Sequence, residues 1–209
     1  MTKKEIASQA VKALKKEYKN PECSLSYEDP LQLLIATRLA AQCTDARVNM
    51  VTPALFERFK DVNDLANASY EEVEEYIKSC GLYKTKARDI VDLSKKIVED
   101  YDGQVPDNME DLLSLPGIGR KTANLVLGDV FHKEGCVVVD THCIRITRRL
   151  GLHNEKDQKK IEFILRDLLP KKESNNFCHR LVLHGREICT ARKANCELCC
   201  MNKFCRKKK

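Results

Sequence analysis

Apolar residues recur along most of the chain at spacings of three and four, the pattern of one face of an α-helix. The clearest early examples are Ile6, Ala10, Val11 and Leu14; Leu31, Leu34, Ile35 and Leu39; Leu55 and Phe59; and Val73 and Ile77. The same pattern predicts helices over residues 86–99, 107–115, 120–132, 141–150, 157–169 and 175–188. Only GCVVVD, residues 135–140, has strand character. Because it has no partner run, we expect an extended buried connector there, and the fold class is all-α.

The composition is that of a globular protein. Hydrophobic residues make up 43% of the 209 positions, which is enough to bury a core in one large domain or two small ones. No run approaches the roughly 18 apolar residues that a membrane span needs. The charged, helix-periodic start, MTKKEIASQAVKALKKEYK, lacks the apolar core of a secretory signal, so we expect a cytoplasmic protein.

Positive charge is concentrated at the C-terminal end. Residues 180–209 contain nine Lys/Arg and two Asp/Glu, a net charge of +7, although the whole chain carries only +6. A localised basic segment of this kind favours a polyanionic partner. The alternative is a solvated basic tail without a partner.

Residues 115–128, LPGIGRKTANLVLG, predict a tight turn between two helices. Pro116 ends the first helix, and Gly117 and Gly119 allow unusual backbone angles and remove side chains from the turn. The second helix begins there, and a helix N-terminus attracts anions, to which Arg120 adds a positive charge. Such a turn can hold a nucleic-acid phosphate. It can also be an ordinary corner between helices.

Lys121 follows that turn directly, and Asp140 comes 19 residues later in VVVDTHCIRITRRLG. Desolvation or a neighbouring cation can lower the pKa of a lysine and make its amine a nucleophile, although most lysines are surface cations. Asp140 follows an apolar run and precedes a predicted helix, where aspartate often caps the helix. A carboxylate there could instead stabilise positive charge that develops on a sugar, as in glycoside cleavage.

Eleven cysteines, an odd number, argue against a disulfide framework, and five of them lie in the last 21 residues. Four of these give the spacing C-x6-C-x2-C-x5-C: Cys189, Cys196, Cys199 and Cys205. Four thiolates so close together suit one metal centre, either an iron–sulfur cluster or zinc. Cys200 is left over, because adjacent cysteines seldom bind one centre. Arg192, Lys193 and Lys203 lie between the ligands, where a metal would hold these cations in place for phosphates.

LPGIGRKTANLVL followed by VVVDTHCIR resembles the helix-hairpin-helix, Gly/Pro-rich loop and aspartate signature of the endonuclease III-type DNA glycosylases. LAAQCTDARVN (39–49) and IKSCGLYKTKARDI (77–90) are also similar to segments of that family, and the resemblance covers nearly the whole chain. It implies that Lys121 is the nucleophile and Asp140 the catalytic carboxylate. It further implies that Gln42 contacts DNA and that Leu82 is an apolar wedge inserted into the duplex.

The resemblance implies a two-lobed helical glycosylase fold. One domain would span 23–134 and contain the hairpin motif at about 108–132. The other would combine 1–22 with 135–209 and carry a [4Fe–4S] cluster on the four cysteines of 189–205. A monomer acting on damaged duplex DNA, associated with the nucleoid, would remove oxidised pyrimidines and then cleave the strand 3′ of the abasic site by β-elimination.

Three alternatives remain open from the residues. An adenine-type glycosylase of the same family would have the fold and cluster without the lyase step, but such relatives usually lack a lysine at position 121. A non-enzymatic DNA-binding module would need the hairpin and the basic segment, but neither Lys121 nor Asp140. A zinc-binding scaffold would be colourless, whereas an iron–sulfur protein absorbs visible light.

Overall fold

The computed structural model describes residues 1–207, so the last two lysines of the basic C-terminal segment, 208 and 209, lie outside the described residues. Throughout the described chain the regular structure is helical, without a β-strand. Eleven α-helices occur there: α1 (Lys3–Glu17), α2 (Pro30–Leu39), α3 (Asp45–Arg58), α4 (Val62–Asn67), α5 (Tyr70–Ile77), α6 (Tyr83–Asp100), α7 (Met109–Ser114), α8 (Arg120–Asp129), α9 (Thr141–Arg149), α10 (Gln158–Leu168) and α11 (Ser174–Glu187). Short 3-10 turns lie at Lys171–Glu173 and Asn202–Phe204.

The chain divides into two compact units, and the first is discontinuous. It combines residues 1–23 with the chain from His132 onward, while the second spans Ser24–Phe131. None of the described helices is both long enough and apolar enough to cross a bilayer.

The second unit is built around α6, its longest helix. α6 packs against α2, α4 and α5, and the pair α7–α8 is joined to the rest through α2. The buried face of α6 includes Ala87, Ile90, Leu93 and Ile97, which repeat at helical spacing. The hairpin formed by α7 and α8 therefore rests on a helical core of its own unit.

The first unit packs α11 against α1 and α9, and α10 against α1. Thr2 starts α1 with a capping box: its side chain accepts a hydrogen bond from the Glu5 N–H, and the Glu5 carboxylate accepts one from the Thr2 N–H. Ile6, Ala10 and Leu14 then form the buried face of α1 that the sequence predicts.

The all-α prediction is confirmed, and residues 136–140 form a connector without regular secondary structure, of which 136–139 are buried. Two details of the prediction were wrong. The helix predicted over 120–132 ends at Asp129, because His132 adopts a left-handed φ of 52° that stops helical propagation. Helix α4 was missed, since its six residues are too few to show periodicity, although Asp61 caps it through hydrogen bonds from the N–H groups of Asn63 and Asp64.

Candidate active site and cysteine centre

The predicted hairpin lies between the end of α7 at Ser114 and the start of α8 at Arg120. Leu115 and Ile118 bury their side chains, and the Ile118 N–H donates to the Leu115 carbonyl at 3.2 Å. The two apolar side chains therefore anchor the turn in the core, whereas Gly117 and Gly119 are exposed to solvent.

The two glycines have different reasons to be glycine. Gly117 has a φ of 73°, and a Cβ added there would lie 2.6 Å from Arg38 Nε and 2.7 Å from Asp89 Oδ2. Arg38 of α2 and Asp89 of α6 form a half-buried ion pair, with Nε donating to Oδ2 at 2.7 Å, directly against Gly117. Gly119 has an ordinary extended backbone, and within the described chain a Cβ there would meet nothing closer than 4 Å. The fold requires glycine at 117 but not at 119.

Helix α8 opens without the side-chain acceptor that caps several other helices. Gly119 occupies the N-cap position and supplies no side chain. The first N–H groups of an α-helix have no intrahelical partner, and the helix dipole places partial positive charge there. Arg120 is half-buried in the first turn, and Lys121, beside it, is exposed. The hairpin thus brings a side-chain-free helix start and two cations together.

Asp140 is the N-cap of α9, where its Oδ1 accepts the Cys143 N–H at 2.7 Å. The side chain is half-buried and follows the buried connector. Its neighbour His142 packs tightly, because a Cβ on Gly185 would come within 2.2 Å of His142 Nδ1. Burial lowers the pKa of His142, and the charge of Asp140 opposes this effect. The structure therefore confirms the capping interpretation of Asp140 and holds the carboxylate beside a packed histidine.

The C-terminal end of the same helix holds the cysteine segment. Arg149 Nη1 donates to the Thr190 carbonyl at 2.8 Å and to Cys189 Sγ at 3.1 Å, and Nη2 donates to the Ala191 carbonyl at 3.1 Å. Helix α9 therefore carries Asp140 at its N-terminus and fastens the start of the cysteine segment at its C-terminus.

One cavity is lined by the four spaced cysteines together with Arg149. The cavity lining is Arg149, Ile188, Cys189, Ala194, Asn195, Cys196, Cys199, Asn202, Cys205 and Lys207. Cys200 is not part of this lining. Among residues 1–207, no three His, Cys, Asp or Glu side chains form a group suited to a single metal ion.

The cysteines of this cavity sit among hydrogen-bond donors and polar groups. Cys199 Sγ lies 3.3 Å from His184 Nε2, and Cys205 Sγ donates to the Arg149 carbonyl at 3.4 Å. Burial raises the pKa of both thiols. Arg192 and Lys193 are exposed on the loop that follows Cys189, which Thr190 closes by accepting the Lys193 N–H at 3.2 Å. The structure thus groups the four predicted ligands and leaves the adjacent cations open to solvent.

Comparison with known proteins places this arrangement in a family. The model of the HhH-GPD superfamily base excision DNA repair proteins matches residues 35–171, a range that contains the hairpin, Lys121 and Asp140. The chain is 48% identical to endonuclease III of Synechocystis over 204 residues, which cover 98% of this chain and 93% of the relative. The chain belongs to the endonuclease III family.

Further relatives agree. Endonuclease III of Bacillus subtilis is 42% identical over 190 residues, covering 90% of this chain and 86% of the relative. A solved structure of a trapped endonuclease III–DNA covalent intermediate matches with a TM-score of 0.91 at 38% identity, covering 99% of this chain and 96% of that one. The family's helical fold therefore extends over essentially the whole chain.

In this endonuclease III-family chain, Gln42 and Leu82 lie on turns that touch each other. Gln42 follows α2 with a φ of 55°, and Leu82 opens α6 with a φ of 58°. A Cβ added to Gly81 would lie 3.3 Å from the Gln42 carbonyl oxygen. Leu82 is 57% exposed, so it is not a core residue. A left-handed, exposed leucine is a strained placement that the core does not require.

The sequence analysis missed a lysine that supports these turns. Lys86 is fully buried, and its Nζ donates to the Leu39 carbonyl at 2.7 Å, at the C-terminal end of α2. Burial lowers its pKa. The ammonium satisfies one of the carbonyls that a helix end leaves without a partner. A signal was present, because Lys86 occupies the apolar stripe of α6 that continues with Ile90 and Ile97.

Proposed function

We infer that this chain is a DNA glycosylase with AP-lyase activity that acts in base excision repair. The observation that carries the inference is the hairpin: in a chain of the endonuclease III family, an exposed lysine stands in the first turn of a helix that opens on a bare glycine. An amine in that position can attack a sugar whose phosphate is held by the turn.

The phosphate-binding role belongs to the hairpin backbone. Gly119 faces open space and caps α8 without a side chain, so a phosphate can approach the helix start closely. Arg120 adds positive charge, and Gly117 lets the turn close over the Arg38–Asp89 pair. Contacts of this kind position the DNA backbone without reading the base sequence.

Lys121 then acts as the nucleophile. Its neutral amine attacks C1′ of the extruded nucleotide, the C1′–N bond breaks, and the base leaves with the bonding electrons. Asp140, as a carboxylate, stabilises the positive charge that develops on the sugar. Ring opening gives an imine between C1′ and Nζ, which acidifies the C2′ proton. Loss of that proton expels the 3′ phosphate by β-elimination, and water releases the lysine.

Gln42 and Leu82 would stabilise the distorted duplex. An exposed leucine at a turn tip can enter the gap that an extruded nucleotide leaves, and the amide of Gln42 on the touching turn can contact the strand or the unpaired base. The strained backbone at both residues supports a functional rather than a packing role.

Cys189, Cys196, Cys199 and Cys205 would hold a [4Fe–4S] cluster. All four thiols line one cavity, and a cube takes one thiolate per iron. This donor set fits a cluster better than zinc. When bound, the cluster would cross-link residues 189–205, so that Arg192, Lys193 and Lys203 would be held in position for DNA phosphates. Cys200 stands outside the cavity lining and is not needed as a ligand.

The substrate class is double-stranded DNA with damaged bases or abasic sites, and we propose oxidised pyrimidines as the bases removed. Nothing in the reaction requires a second copy, so a monomer acting in the cytoplasm on the nucleoid is the simplest assembly. An adenine-type glycosylase without lyase activity is disfavoured by Lys121, and a non-enzymatic module by Lys121 and Asp140 together.

Borohydride trapping tests this proposal directly. The protein is incubated with a duplex that contains one abasic site, and borohydride reduces any imine to a stable covalent bond. We expect a trapped complex for the unaltered chain and for Lys60→Ala, which removes another exposed lysine of the same unit. Lys121→Ala should bind the duplex but give no trapped complex. An intact, bound duplex with no trapped complex from the unaltered chain would overturn the lyase assignment.

A further inference from the structure

One buried histidine contacts two of the four cysteines that line the cavity, and the proposed reaction does not use it. His184 lies near the end of α11 and is 1% exposed. Its carbonyl accepts the Cys189 N–H at 2.7 Å, and its Nε2 lies 3.3 Å from Cys199 Sγ. These two cysteines are ten residues apart in the chain. A single residue therefore fixes the positions of two proposed ligands that the chain itself does not hold together.

Tyr18 contacts the other ring nitrogen of His184. Its hydroxyl lies 3.3 Å from His184 Nδ1, and the two rings meet edge to face with their centroids 6.0 Å apart. Tyr18 is itself fixed at the end of α1, because its N–H donates to the Leu14 carbonyl at 2.8 Å and its carbonyl accepts Arg180 Nε at 3.0 Å. The hydroxyl also lies 3.1 Å from Glu187 Oε2. The imidazole is therefore held between a phenol hydroxyl and a cysteine sulfur.

The direction of these hydrogen bonds follows from the state of the sulfur. A cysteine binds a metal centre as a thiolate, which has no proton to donate, so the contact with Cys199 requires an N–H on His184 Nε2. Burial disfavours the charged ring, and a neutral imidazole has only one N–H. Nδ1 is then an acceptor, and the Tyr18 hydroxyl is in place to donate to it. Glu187 is exposed, so its carboxylate can accept hydrogen bonds from water instead. Tyr18 thus selects the tautomer in which His184 donates to the sulfur.

We propose that His184, oriented by Tyr18, is a positioning residue for the iron–sulfur centre and raises its reduction potential through an N–H···S hydrogen bond to Cys199. This inference rests on the [4Fe–4S] cluster proposed above. A hydrogen bond to a ligand sulfur withdraws negative charge from it, and it therefore favours the reduced form, which carries one more electron. Such contacts also hold the ligands in orientation, and their removal lowers metal affinity by roughly 10–100-fold. His184 should therefore affect both the potential and the retention of iron.

His153 provides a matched control, because it is a second buried histidine of the same unit. It is also 1% exposed, but its Nε2 lies 2.8 Å from Thr147 Oγ1, so this ring nitrogen contacts a hydroxyl rather than a sulfur. Leucine at either position removes a buried imidazole together with its hydrogen bond. Both substitutions should lower the free energy of unfolding, whereas only the substitution at His184 should change the properties of the cluster.

The test uses the purified, cluster-loaded chain. Protein-film voltammetry measures the reduction potential, and the decay of visible absorption measures the rate at which a chelator removes iron. We expect His184→Leu to lower the potential and to lose iron about tenfold faster than the unaltered chain. Tyr18→Phe keeps the ring but removes the hydroxyl, so the potential should fall by a smaller amount. His184→Gln, whose amide can still donate to the sulfur, should restore most of the potential, and His153→Leu should leave it unchanged.

The outcomes separate this inference from the proposals on which it rests. An unaltered chain without bound iron or visible absorption would overturn the cluster and this inference together, whereas borohydride trapping would still decide the lyase activity. With a cluster present, an unchanged potential in His184→Leu would overturn the inference alone, and so would an equal shift in His153→Leu. If His184→Leu retains no cluster, Tyr18→Phe decides the question, because a lowered potential supports the donor role of His184 and an unchanged potential refutes it.

Discussion

Replacing either glycine of the hairpin by serine should have opposite effects on stability at the two positions. Serine at 117 would have to adopt the left-handed φ of 73°, which costs about 1–2 kcal/mol for a residue with a Cβ. Its Cβ would also come within 2.6 Å of Arg38 Nε and 2.7 Å of Asp89 Oδ2, so the ion pair must separate. A hydrogen bond between charged groups contributes about 1.5–3 kcal/mol, and this pair lies near the lower limit because it is partly exposed.

Together these effects predict that Gly117→Ser lowers the free energy of unfolding by about 2–4 kcal/mol. With a urea m-value of about 1–3 kcal/mol/M, the unfolding midpoint should fall by roughly 1–2 M. Gly119→Ser should retain full stability or gain a few tenths of a kcal/mol, because its backbone is extended and serine is a slightly better N-cap residue than glycine. Urea unfolding followed by circular dichroism measures both variants.

For DNA affinity, in contrast to stability, we expect the larger effect from the substitution at Gly119. If a phosphate packs against Gly119, a serine side chain there blocks its approach, and the Kd for an abasic duplex should rise about tenfold in a stable protein. Equal losses of stability in the two variants would refute the argument that only Gly117 is required by the fold. Full DNA affinity in Gly119→Ser would show that no phosphate approaches this glycine closely.

Three further predictions concern other parts of the molecule. Leu82→Gly should raise the free energy of unfolding by up to about 1 kcal/mol by relieving a left-handed backbone, yet weaken binding to an abasic duplex; a variant with unchanged affinity would remove the wedge role. Cys196→Ser should reduce bound iron and visible absorption, whereas the adjacent-cysteine control Cys200→Ser should retain both, and equal losses would contradict the ligand assignment. Burial lowers the pKa of His153 from its ordinary value near 6.5. Below about pH 6.5 the unfolded chain therefore binds more protons than the folded chain, and the free energy of unfolding decreases as the pH is lowered. His153→Gln should flatten that dependence in unfolding titrations, and an unchanged slope would assign it to other groups.

The sequence predicted those features that rest on local patterns. Helical periodicity predicted α6 and α11 because each buries a long, regular stripe, and a hairpin signature predicted the turn at Gly117. Patterns of this kind cannot distinguish two glycines in one motif, because the difference arises from Arg38 and Asp89, which are remote in sequence. Short helices such as α4 and the exact end of α8 depend on caps and single backbone angles, which periodicity does not report.

Long-range polar contacts were the larger omission. Arg149 holds the start of the cysteine segment from a position 40 residues earlier than Cys189, and no spacing rule connects them. Lys86 reaches Leu39 across 47 residues, and only its place on an apolar stripe of α6 hinted at burial.

The burial of Lys86 makes its chemical labelling a measure of local opening in the second unit. Reagents that acylate amines modify a lysine only when its nitrogen reaches solvent, and Lys84, two residues earlier on the same helix, is exposed throughout. Lys86 becomes reactive only when α6 separates from the end of α2. The ratio of the two labelling rates within one tryptic map therefore measures the free energy of that opening under native conditions. Bound DNA would change the ratio without any mutation in the protein.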